Sequence, residues 1–391
     1  MKYNFDEIIN RQGTQSMKWD PSALKDQFGQ EDLLPMWVAD MDFKCPEPVI
    51  KALADRVAHG IYGYTQRDEA YYNAVMGWME KRHGWTIEKE WMVFTPGIVP
   101  AVNFILQSFC RPGDQVIIQN PVYYPFLNAI NNNGCRPLFN RLQYREGKYT
   151  MDFGDLEEKA RDPRTKILIL CSPHNPVGRV WTKEELIRLG EICLKNKVWV
   201  ISDEIHSDLI LKGHTHTPFA KLSEAFAMGS ITCTAPSKTF NIAGLQTSNL
   251  IIPNGDIRQE LIRTLERHHV QMSNCFGVTA TTAAYTHGEE WLEQMLDYLQ
   301  GNVEFIQEFL EERMPEVKLI RPEGTYLAWL DFTAVSDNAP KLENLIQKKA
   351  GVALDEGYIF GAGGEGFERI NIACPRILIE KALKRIQAVI H

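Results

Sequence analysis

The segment Thr234-Ala-Pro-Ser-Lys-Thr-Phe-Asn-Ile-Ala-Gly-Leu245 directly follows a short apolar run, residues 230–233, that is typical of a β-strand. The segment therefore places Lys238, between Ser237 and Thr239, just beyond the end of a predicted strand. A partly buried lysine among backbone dipoles can have a pKa low enough for its neutral amine to attack an aldehyde and form a Schiff base. A lone lysine between two hydroxyl residues is more often a solvated surface residue, so its meaning depends on the rest of the chain.

Short apolar runs alternate with longer segments of helical period on both sides of this segment. The runs are rich in β-branched residues and bounded by turn residues, as buried strands are; they cover residues 91–94, 115–119, 166–170, 197–201 and 230–233. Between two of them, Lys183–Lys195 has apolar residues at helical spacing behind Thr182, and Glu185 completes a capping box. This alternation predicts an α/β fold with a mostly parallel sheet.

The order of elements changes after a long apolar stripe. Apolar residues at steps of three and four over 292–310 predict one long helix. A strand pattern at 324–332, a helical segment at 341–349 and an alternating run at 368–373 follow before a final helix. A chain of 391 residues with 44% apolar content exceeds the size at which one core usually stops growing. We therefore predict a large domain over residues 48–285 and a smaller α+β domain formed by residues 1–47 and 286–391.

Composition narrows the class of protein. A net charge of -8 argues against nucleic acid or an anionic membrane surface as a partner. The eight cysteines show no C-x-x-C pair and no metal-ligand spacing, so we expect buried free thiols in a reducing compartment and no metal site. The first residues lack a basic segment followed by an apolar one, and no stretch approaches the ~18 apolar residues of a membrane span. We expect a cytoplasmic protein.

Polar or glycine residues follow each predicted strand, and in parallel α/β sheets the ligand site lies at the carboxyl edge. Gly97, at the start of a helical pattern, offers free backbone N–H groups to an anion. Tyr123 stands on a proline-stiffened loop where its ring could stack on a flat heterocycle. Asn175 follows the next strand, and Asp203 ends the strand after that. Each of these residues has an ordinary explanation as a turn, a packed ring or a helix cap, but together they predict a site.

The fold-type I pyridoxal-phosphate enzymes, the aspartate aminotransferase superfamily, have similar motifs in this order. The resemblance rests on Tyr64, Thr95-Pro-Gly97, Pro121-Val-Tyr123, Pro173-His-Asn-Pro-Val-Gly178, Ser202-Asp-Glu-Ile-His206, Ser237-Lys238 and Phe367-Glu-Arg-Ile-Asn371. It covers nearly the whole chain and implies a three-layer large domain with pyridoxal 5'-phosphate as cofactor. The chain looks most like the cystathionine β-lyase branch, the MalY and PatB type of C–S lyases, at Leu34-Pro-Met-Trp-Val-Ala-Asp-Met-Asp-Phe43, residues 202–209, Thr325-Tyr-Leu-Ala-Trp-Leu-Asp331 and Ile372-Ala-Cys-Pro-Arg376.

The resemblance implies a role for each residue that faces the cofactor ring. Lys238 holds the cofactor covalently and later removes the Cα proton of the substrate. Asp203 keeps the pyridine nitrogen protonated, so that the ring accepts electrons. Asn175 donates to the phenolic oxygen, and His206, where many relatives have a tyrosine, supports the same region. Tyr123 stacks on the ring.

The phosphate and the partner subunit are also assigned by resemblance. The backbone N–H groups of Ile98 and Val99, after Gly97, hold the phosphate together with Ser237. Tyr64 reaches the phosphate of a neighbouring subunit, which implies a homodimer with shared sites. The chain departs from relatives that have a serine three residues before the lysine and an arginine soon after it. Here Ala235 takes the serine position and no arginine occurs between Lys238 and Asn254, so fewer side chains balance the phosphate charge.

The resemblance places an amino-acid substrate against an arginine. Arg369 binds its α-carboxylate bidentately, a task suited to a planar guanidinium, with help from the backbone of Trp37, Val38 and Ala39. Arg376 is the second choice for this role and otherwise begins the last helix. The pocket for the substrate side chain is open, because its candidates, Trp37, Tyr62, Phe240 and Trp329, are equally well explained by packing between domains.

The branch resemblance implies α,β-elimination on a sulfur amino acid such as cystathionine or cysteine, which gives a thiol such as homocysteine, pyruvate and ammonia. The assigned residues serve transamination equally well, so an aminotransferase of class I or II is the alternative. A third hypothesis is a regulatory protein that kept the enzyme fold, because a fold alone does not determine function.

Overall fold

A large mixed sheet and a smaller antiparallel sheet organise the protein. The computed structural model describes residues 3–390. The strands, in chain order, are β1 (Leu34–Pro35), β2 (Met92–Thr95), β3 (Gln115–Ile118), β4 (Arg136–Phe139), β5 (Gln143–Arg145), β6 (Lys148–Thr150), β7 (Thr165–Cys171), β8 (Trp199–Asp203), β9 (Ser230–Thr234), β10 (Ser248–Ile251), β11 (Lys318–Ile320), β12 (Leu327–Asp331), β13 (Val352–Ala353), β14 (Asp355–Glu356) and β15 (Phe367–Asn371).

The helices range from single turns to one long helix near the C-terminal part. In chain order they are α1 (Pro21–Phe28), α2 (Glu47–His59), α3 (Glu69–His83), α4 (Ile98–Phe109), α5 (Pro125–Asn132), α6 (Phe153–Ala160), α7 (Lys183–Lys195), α8 (Glu224–Met228), α9 (Pro236–Thr239), α10 (Gly255–Arg267), α11 (Cys275–His287), α12 (Glu289–Arg313), α13 (Ala339–Glu343) and α14 (Arg376–Ile390). A π-helical segment, Asn344–Lys349, continues α13.

The large sheet has the spatial order β2-β10-β9-β8-β7-β3-β4. β4, β3, β7, β8 and β9 run parallel, whereas β10 is antiparallel to both of its neighbours. Side chains alternate between the two faces: Val116 and Ile118 pack with α4 and α5, and Ile117 packs with α6 and α7 on the other face. The fold is therefore α/β with helices on both faces of a mostly parallel sheet, as the sequence predicts.

The smaller sheet has the order β11-β12-β15-β14 and packs with α12 and α14 in a core cluster that continues into α3 and α11. β1, near the N-terminus, pairs in parallel with β13. This pairing supports a small domain that combines residues 1–47 with 286–391, although the boundaries themselves stay a prediction.

Charged side chains hold the segment after β1 against the rest of the molecule. Arg11 donates to both carboxylate oxygens of Asp40, at 3.1 and 2.6 Å, and Lys18 Nζ lies 2.8 Å from Asp42 Oδ2. The Asn241 side chain donates to the carbonyls of Met41 and Phe43 at 3.0 and 2.8 Å. These bonds fix residues 39–43 beside the segment that contains Lys238.

Each predicted strand is present, with bounds that shift by up to three residues. The predicted helix Lys183–Lys195 has those same bounds, and Thr182 and Glu185 form both hydrogen bonds of the capping box. The predicted long helix is α12. The predicted helical segment at 341–349 is helical, and the structure adds that α13 ends at Glu343 and π-helical turns form Asn344–Lys349.

Two predictions from composition can be compared with the structure. All eight cysteines are free thiols, but Cys45 and Cys110 are half-buried where burial was predicted. Among residues 3–390, no helix is long and apolar enough to cross a bilayer.

Candidate active site

A cavity of about 200 Å³ opens at the carboxyl edge of the large sheet. Most of the residues predicted from the sequence line it: Lys238, Asp203, Asn175, Tyr123, His206, Ser237, Gly97, Ile98, Val99 and Ala39. They converge because parallel strands end at one edge. β8 ends at Asp203, and β9 leads through Ala235 into α9, which contains Ser237 and Lys238.

Lys238 is half-buried with its amine at the cavity. Its Nζ donates to the carbonyl oxygen of Ala39 at 2.7 Å. The pKa of Lys238 is lowered to about 8, and burial is the main cause; Asp40 and Asp203 raise the pKa, whereas Arg369 adds to the lowering. A substantial share of the lysine is therefore neutral near physiological pH, as an amine that attacks a carbonyl must be.

Asp203 is buried and has no cationic partner within hydrogen-bonding distance among residues 3–390. Its Oδ1 accepts from the backbone N–H of Ile205 at 3.1 Å. Burial raises the pKa of Asp203 to about 7; the field of Glu204 adds to the effect, and that of Lys238 opposes it. A ligand with an N–H⁺ group in the cavity would remove this imbalance of charge.

The start of α4 forms the other end of the site. Gly97 precedes the helix, and no side chain caps its first turn. The N–H groups of Ile98 and Val99 are thus open to an anion, and the helix dipole favours negative charge at this point. Gln246 and Thr247 also line the cavity; they are neutral residues in the segment between Lys238 and Asn254, which contains no arginine.

The cavity wall between Asp203 and the start of α4 includes three side chains, those of Tyr123, Asn175 and His206. The N–H of Tyr123 donates to the carbonyl of Asn175 at 3.1 Å, which joins the two loops. Burial lowers the pKa of His206 to about 3, so the imidazole is neutral, and its Nδ1 is buried without a partner. The His206 ring lies 5.9 Å from that of Tyr326, whose hydroxyl donates to the carbonyl of Ala39.

Arg369 lies directly behind Asn175 and is buried rather than part of the cavity wall. Its Nη1 donates to Asn175 Oδ1 at 2.9 Å, and its Nη2 donates to the carbonyl of Trp37 at 3.4 Å. Nη2 also pairs with the carboxylate of Asp355. The Nε of Arg369 is buried and has no partner among residues 3–390, so this N–H is left for a ligand oxygen.

Other predicted residues lie away from the cavity. Tyr64 is 96% exposed and does not reach the cavity of its own chain. The carbonyl of Val38 accepts from Asn371 Nδ2 at 2.6 Å. Arg376, the second choice for carboxylate binding, donates instead to Asn302 at 3.0 Å on α12. Phe240 and Trp329 are fully buried core residues, so packing explains both.

Sequence reasoning missed Asp355, the partner of Arg369. β14, which contains it, is only two residues long and has no periodic pattern to reveal a strand. Cys171 and Ile205 were also missed as cavity residues. Their positions beside Asn175 and Asp203 were a usable signal, because both lie at the strand ends that the sequence marks.

The fold and the site together define a class of protein. It is an α/β protein with a large mixed sheet and a smaller antiparallel sheet. Its half-buried lysine and its buried carboxylate line one cavity at the carboxyl edge of the large sheet, an arrangement that suits reaction of a lysine amine with a carbonyl group. The chain belongs to the aminotransferase class I and II family, whose model matches residues 31–386. The family and fold class predicted from the sequence are confirmed.

Individual relatives match over the full length. Cystathionine beta-lyase PatB of Bacillus subtilis is 48% identical over 99% of this chain and 100% of its own length. The structure of a PLP-bound putative aminotransferase from Clostridium difficile has a TM-score of 0.98 at 46% identity, with 100% of both chains covered. Cystalysin from Treponema denticola, solved with pyridoxal 5'-phosphate, has a TM-score of 0.96 at 41% identity, with 100% of this chain and 99% of that chain covered.

Proposed function

We propose that this protein is a pyridoxal-phosphate-dependent C–S β-lyase that acts on sulfur amino acids such as cystathionine. The observation that supports it most strongly is the pair of Lys238 and Asp203 in one cavity of a chain that matches a cystathionine β-lyase over 99% of its length. The lysine supplies the amine, and the carboxylate supplies the charge, that this chemistry needs.

The residues present fit pyridoxal phosphate at three points. Asp203, a buried carboxylate without a cation, suits the protonated ring nitrogen. The uncapped first turn of α4 suits the phosphate. Lys238, with its lowered pKa, suits the aldehyde. When bound, the cofactor would withdraw electrons from the substrate Cα and stabilise the carbanion that expels the β-thiolate.

The residues of this chain would bind, orient and move protons. Lys238 holds the cofactor and then takes the proton from the substrate Cα, a transfer for which a pKa of about 8 is well matched. Asp203 keeps a proton on the ring nitrogen. Asn175, whose Oδ1 is occupied by Arg369, has its amide N–H groups left to donate to the phenolic oxygen. Tyr123 covers the ring face.

The substrate carboxylate is assigned to Arg369. Two observations support this role: the Nε of Arg369 has no partner among residues 3–390, and its Nη1 donates to Asn175. The same side chain therefore links the carboxylate site to the cofactor site. Trp37 accepts from the guanidinium and Ala39 accepts from Lys238, so residues 37–39 span the space between the two cationic groups.

We propose a homodimer in the cytoplasm, with Tyr64 contributed to the partner's site. Apolar side chains are exposed along α2 and the segment after it: Ile50, Val57, Ile61, Tyr62 and Tyr64 are between 44% and 96% exposed. Such a concentration of exposed apolar residues is typical of an interaction surface. A second copy of the chain would bury it and would bring Tyr64 near another cavity.

The test is incubation of the purified holoenzyme with L-cystathionine alone. Elimination gives pyruvate and a free thiol in repeated turnovers, measured with lactate dehydrogenase and a thiol reagent. An aminotransferase, the alternative that the family model and the Clostridium difficile structure favour, stops after one turnover with pyridoxamine phosphate and needs an added 2-oxo acid. That single-turnover result overturns the lyase assignment.

A further inference from the structure

The guanidinium of Arg369 forms an ion pair with a carboxylate of the same sheet, that of Asp355. Asp355 and Arg369 are direct cross-strand partners on β14 and β15, and their side chains form a buried ion pair. The two side chains are 10% and 4% exposed. Asp355 therefore occupies part of the guanidinium edge to which a substrate carboxylate binds, and it cancels the charge of Arg369 at close range.

Apart from Lys238, no cationic side chain of residues 3–390 lines the cavity to replace the positive charge that Asp355 cancels. Lys238 lies on the cavity wall, and the proposed function assigns its amine to the cofactor. Of the two acids whose fields act on Lys238, Asp40 is paired with Arg11, and Asp203 is assigned to the ring nitrogen. The carboxylate site thus presents hydrogen-bond donors without a net positive charge.

The field of Asp355 extends to the ring-stacking residue. Burial raises the pKa of Tyr123 to about 12; among the smaller causes, Asp355 raises it and Arg369 lowers it. Both members of the ion pair therefore act on the cavity wall, with opposite signs.

A site of this kind treats two ligand classes differently. An amino acid binds as a zwitterion, whose ammonium balances its own carboxylate. A 2-oxo acid brings the same carboxylate without the ammonium, and burying an unbalanced charge is costly. The oxo acid is also the ligand that a transaminase must bind to complete its cycle.

We infer that Asp355 is a specificity-determining residue that makes the carboxylate site select amino acids over 2-oxo acids, and so disfavours transamination. The inference rests on the proposed function, because it takes the cavity to be the amino-acid site. It goes further in assigning the choice between the two reactions to one carboxylate.

The structure offers a matched control on the same strand. Glu356 follows Asp355, pairs across the sheet with Glu368, and lies on the opposite face of β14. Asp355→Asn and Glu356→Gln each replace a carboxyl group of this strand with an amide, but only Asp355→Asn does so on the side of Arg369. Burial raises the pKa of Glu356 to about 7, so the two variants are compared at pH 8, where Glu356 is mostly ionised.

The experiment compares the affinities of holoenzyme variants for L-2-aminobutyrate and 2-oxobutyrate by calorimetry. These ligands share a side chain without a leaving group and differ only in the α substituent. We expect Asp355→Asn to shift the affinity ratio toward the oxo acid by about tenfold, whereas Glu356→Gln and Asp355→Glu keep the wild-type ratio. Asp355→Ser gives the same expected shift where the Asn variant does not fold.

Two results overturn the inference. If both ligands weaken equally in Asp355→Asn, Asp355 only positions Arg369. If Glu356→Gln shifts the affinity ratio as much as Asp355→Asn does, the shift comes from the loss of any negative charge on β14 and not from the ion pair with Arg369. The cystathionine assay on the wild type tests the proposed function separately, because calorimetry reads binding whether or not elimination occurs.

Discussion

Asp203 is a residue whose charge is costly to the fold in the absence of a ligand. Its pKa rises to about 7 in the folded protein, from an ordinary value of 3.8. Between roughly pH 4 and 7 the folded state binds the proton more tightly than the unfolded state, so this group's contribution to stability falls as the pH rises through that window. Above pH 7 the full cost of the buried charge applies.

Asp203→Asn should therefore stabilise the cofactor-free protein at pH 8, by roughly 2–4 kcal/mol. The difference should shrink toward zero as the pH approaches 4. Urea unfolding of both proteins at several pH values measures it, with the exposed Asp26→Asn as a control that should show no such trend. Parallel pH dependences for wild type and Asp203→Asn would contradict the assignment of a buried, unbalanced carboxylate.

Lys238→Ala should abolish covalent cofactor attachment and slow pyruvate release from cystathionine by roughly 10²–10⁴-fold or more. The variant loses both the amine that holds the cofactor and the base at the substrate Cα. Intact mass after borohydride reduction measures attachment. The exposed Lys183→Ala should match the wild type in both assays, and persistent attachment in Lys238→Ala would place the reactive lysine elsewhere.

The sequence was sufficient to predict the site residues that lie at, or a few residues after, the ends of buried strands. Lys238, Asp203 and Asn175 lie one to four residues beyond or at the ends of buried strands, and the carboxyl-edge rule brings them together. Asp355 was out of reach because its role depends on the register of β14 against β15, which no local pattern specifies.

At the scale of elements, α7 packs closely against Phe226 of α8 at Gly190. A Cβ added to Gly190 would lie 2.5 Å from the ring of Phe226, whereas one added to Gly77, on the exposed face of α3, meets no atom within 4 Å. Both glycines are inside helices, so they share the propensity cost and differ only in the space around them.

Gly190→Ala should destabilise the protein by about 1–3 kcal/mol through overpacking. Gly77→Ala should stabilise it by roughly 0.5–1 kcal/mol, because alanine is the better helix former. Thermal or urea unfolding measures the pair. Stabilisation by both substitutions would mean that Phe226 moves aside without cost.

Burial separates several of the strands that were predicted from the sequence from those that were missed, but not β10, which is fully buried and was missed. Apolar strands such as β3 and β7 are nearly fully buried and were predicted to within a residue or two. β4 is an edge strand with exposed ends and a proline, so it lacks the continuous apolar run that marks a central strand. The π-helical turns after α13 have an ordinary helical pattern, and only the structure distinguishes them from an α-helix.

At the scale of the whole molecule, shared sites predict complementation between chains. Lys238→Ala and Tyr64→Ala should each be nearly inactive. Mixed dimers refolded from equal amounts should regain roughly a quarter of the wild-type rate, since half of the dimers hold one complete site. Cystathionine turnover and sedimentation measure the result.

The control pairs Lys238→Ala with Asp203→Asn. Both residues line the same cavity, so no mixed dimer of these variants contains a complete site, and no activity should return. Failure of the Tyr64→Ala mixture to recover activity, with dimers present, would show that Tyr64 does not serve the partner's site.

The bonds that hold residues 37–43 have a consequence for synthesis of the protein. All seven strands of the large sheet end by residue 251, whereas β13 and Asn371, which bind β1 and the carbonyls of Val38 and Asp40, are translated much later. Domains generally fold as units while the chain emerges. A ribosome-bound chain can thus form the sheet that presents Lys238 before the wall beside the lysine exists. That wall closes only after residue 371 has emerged, so full capture of the cofactor comes after formation of the large sheet.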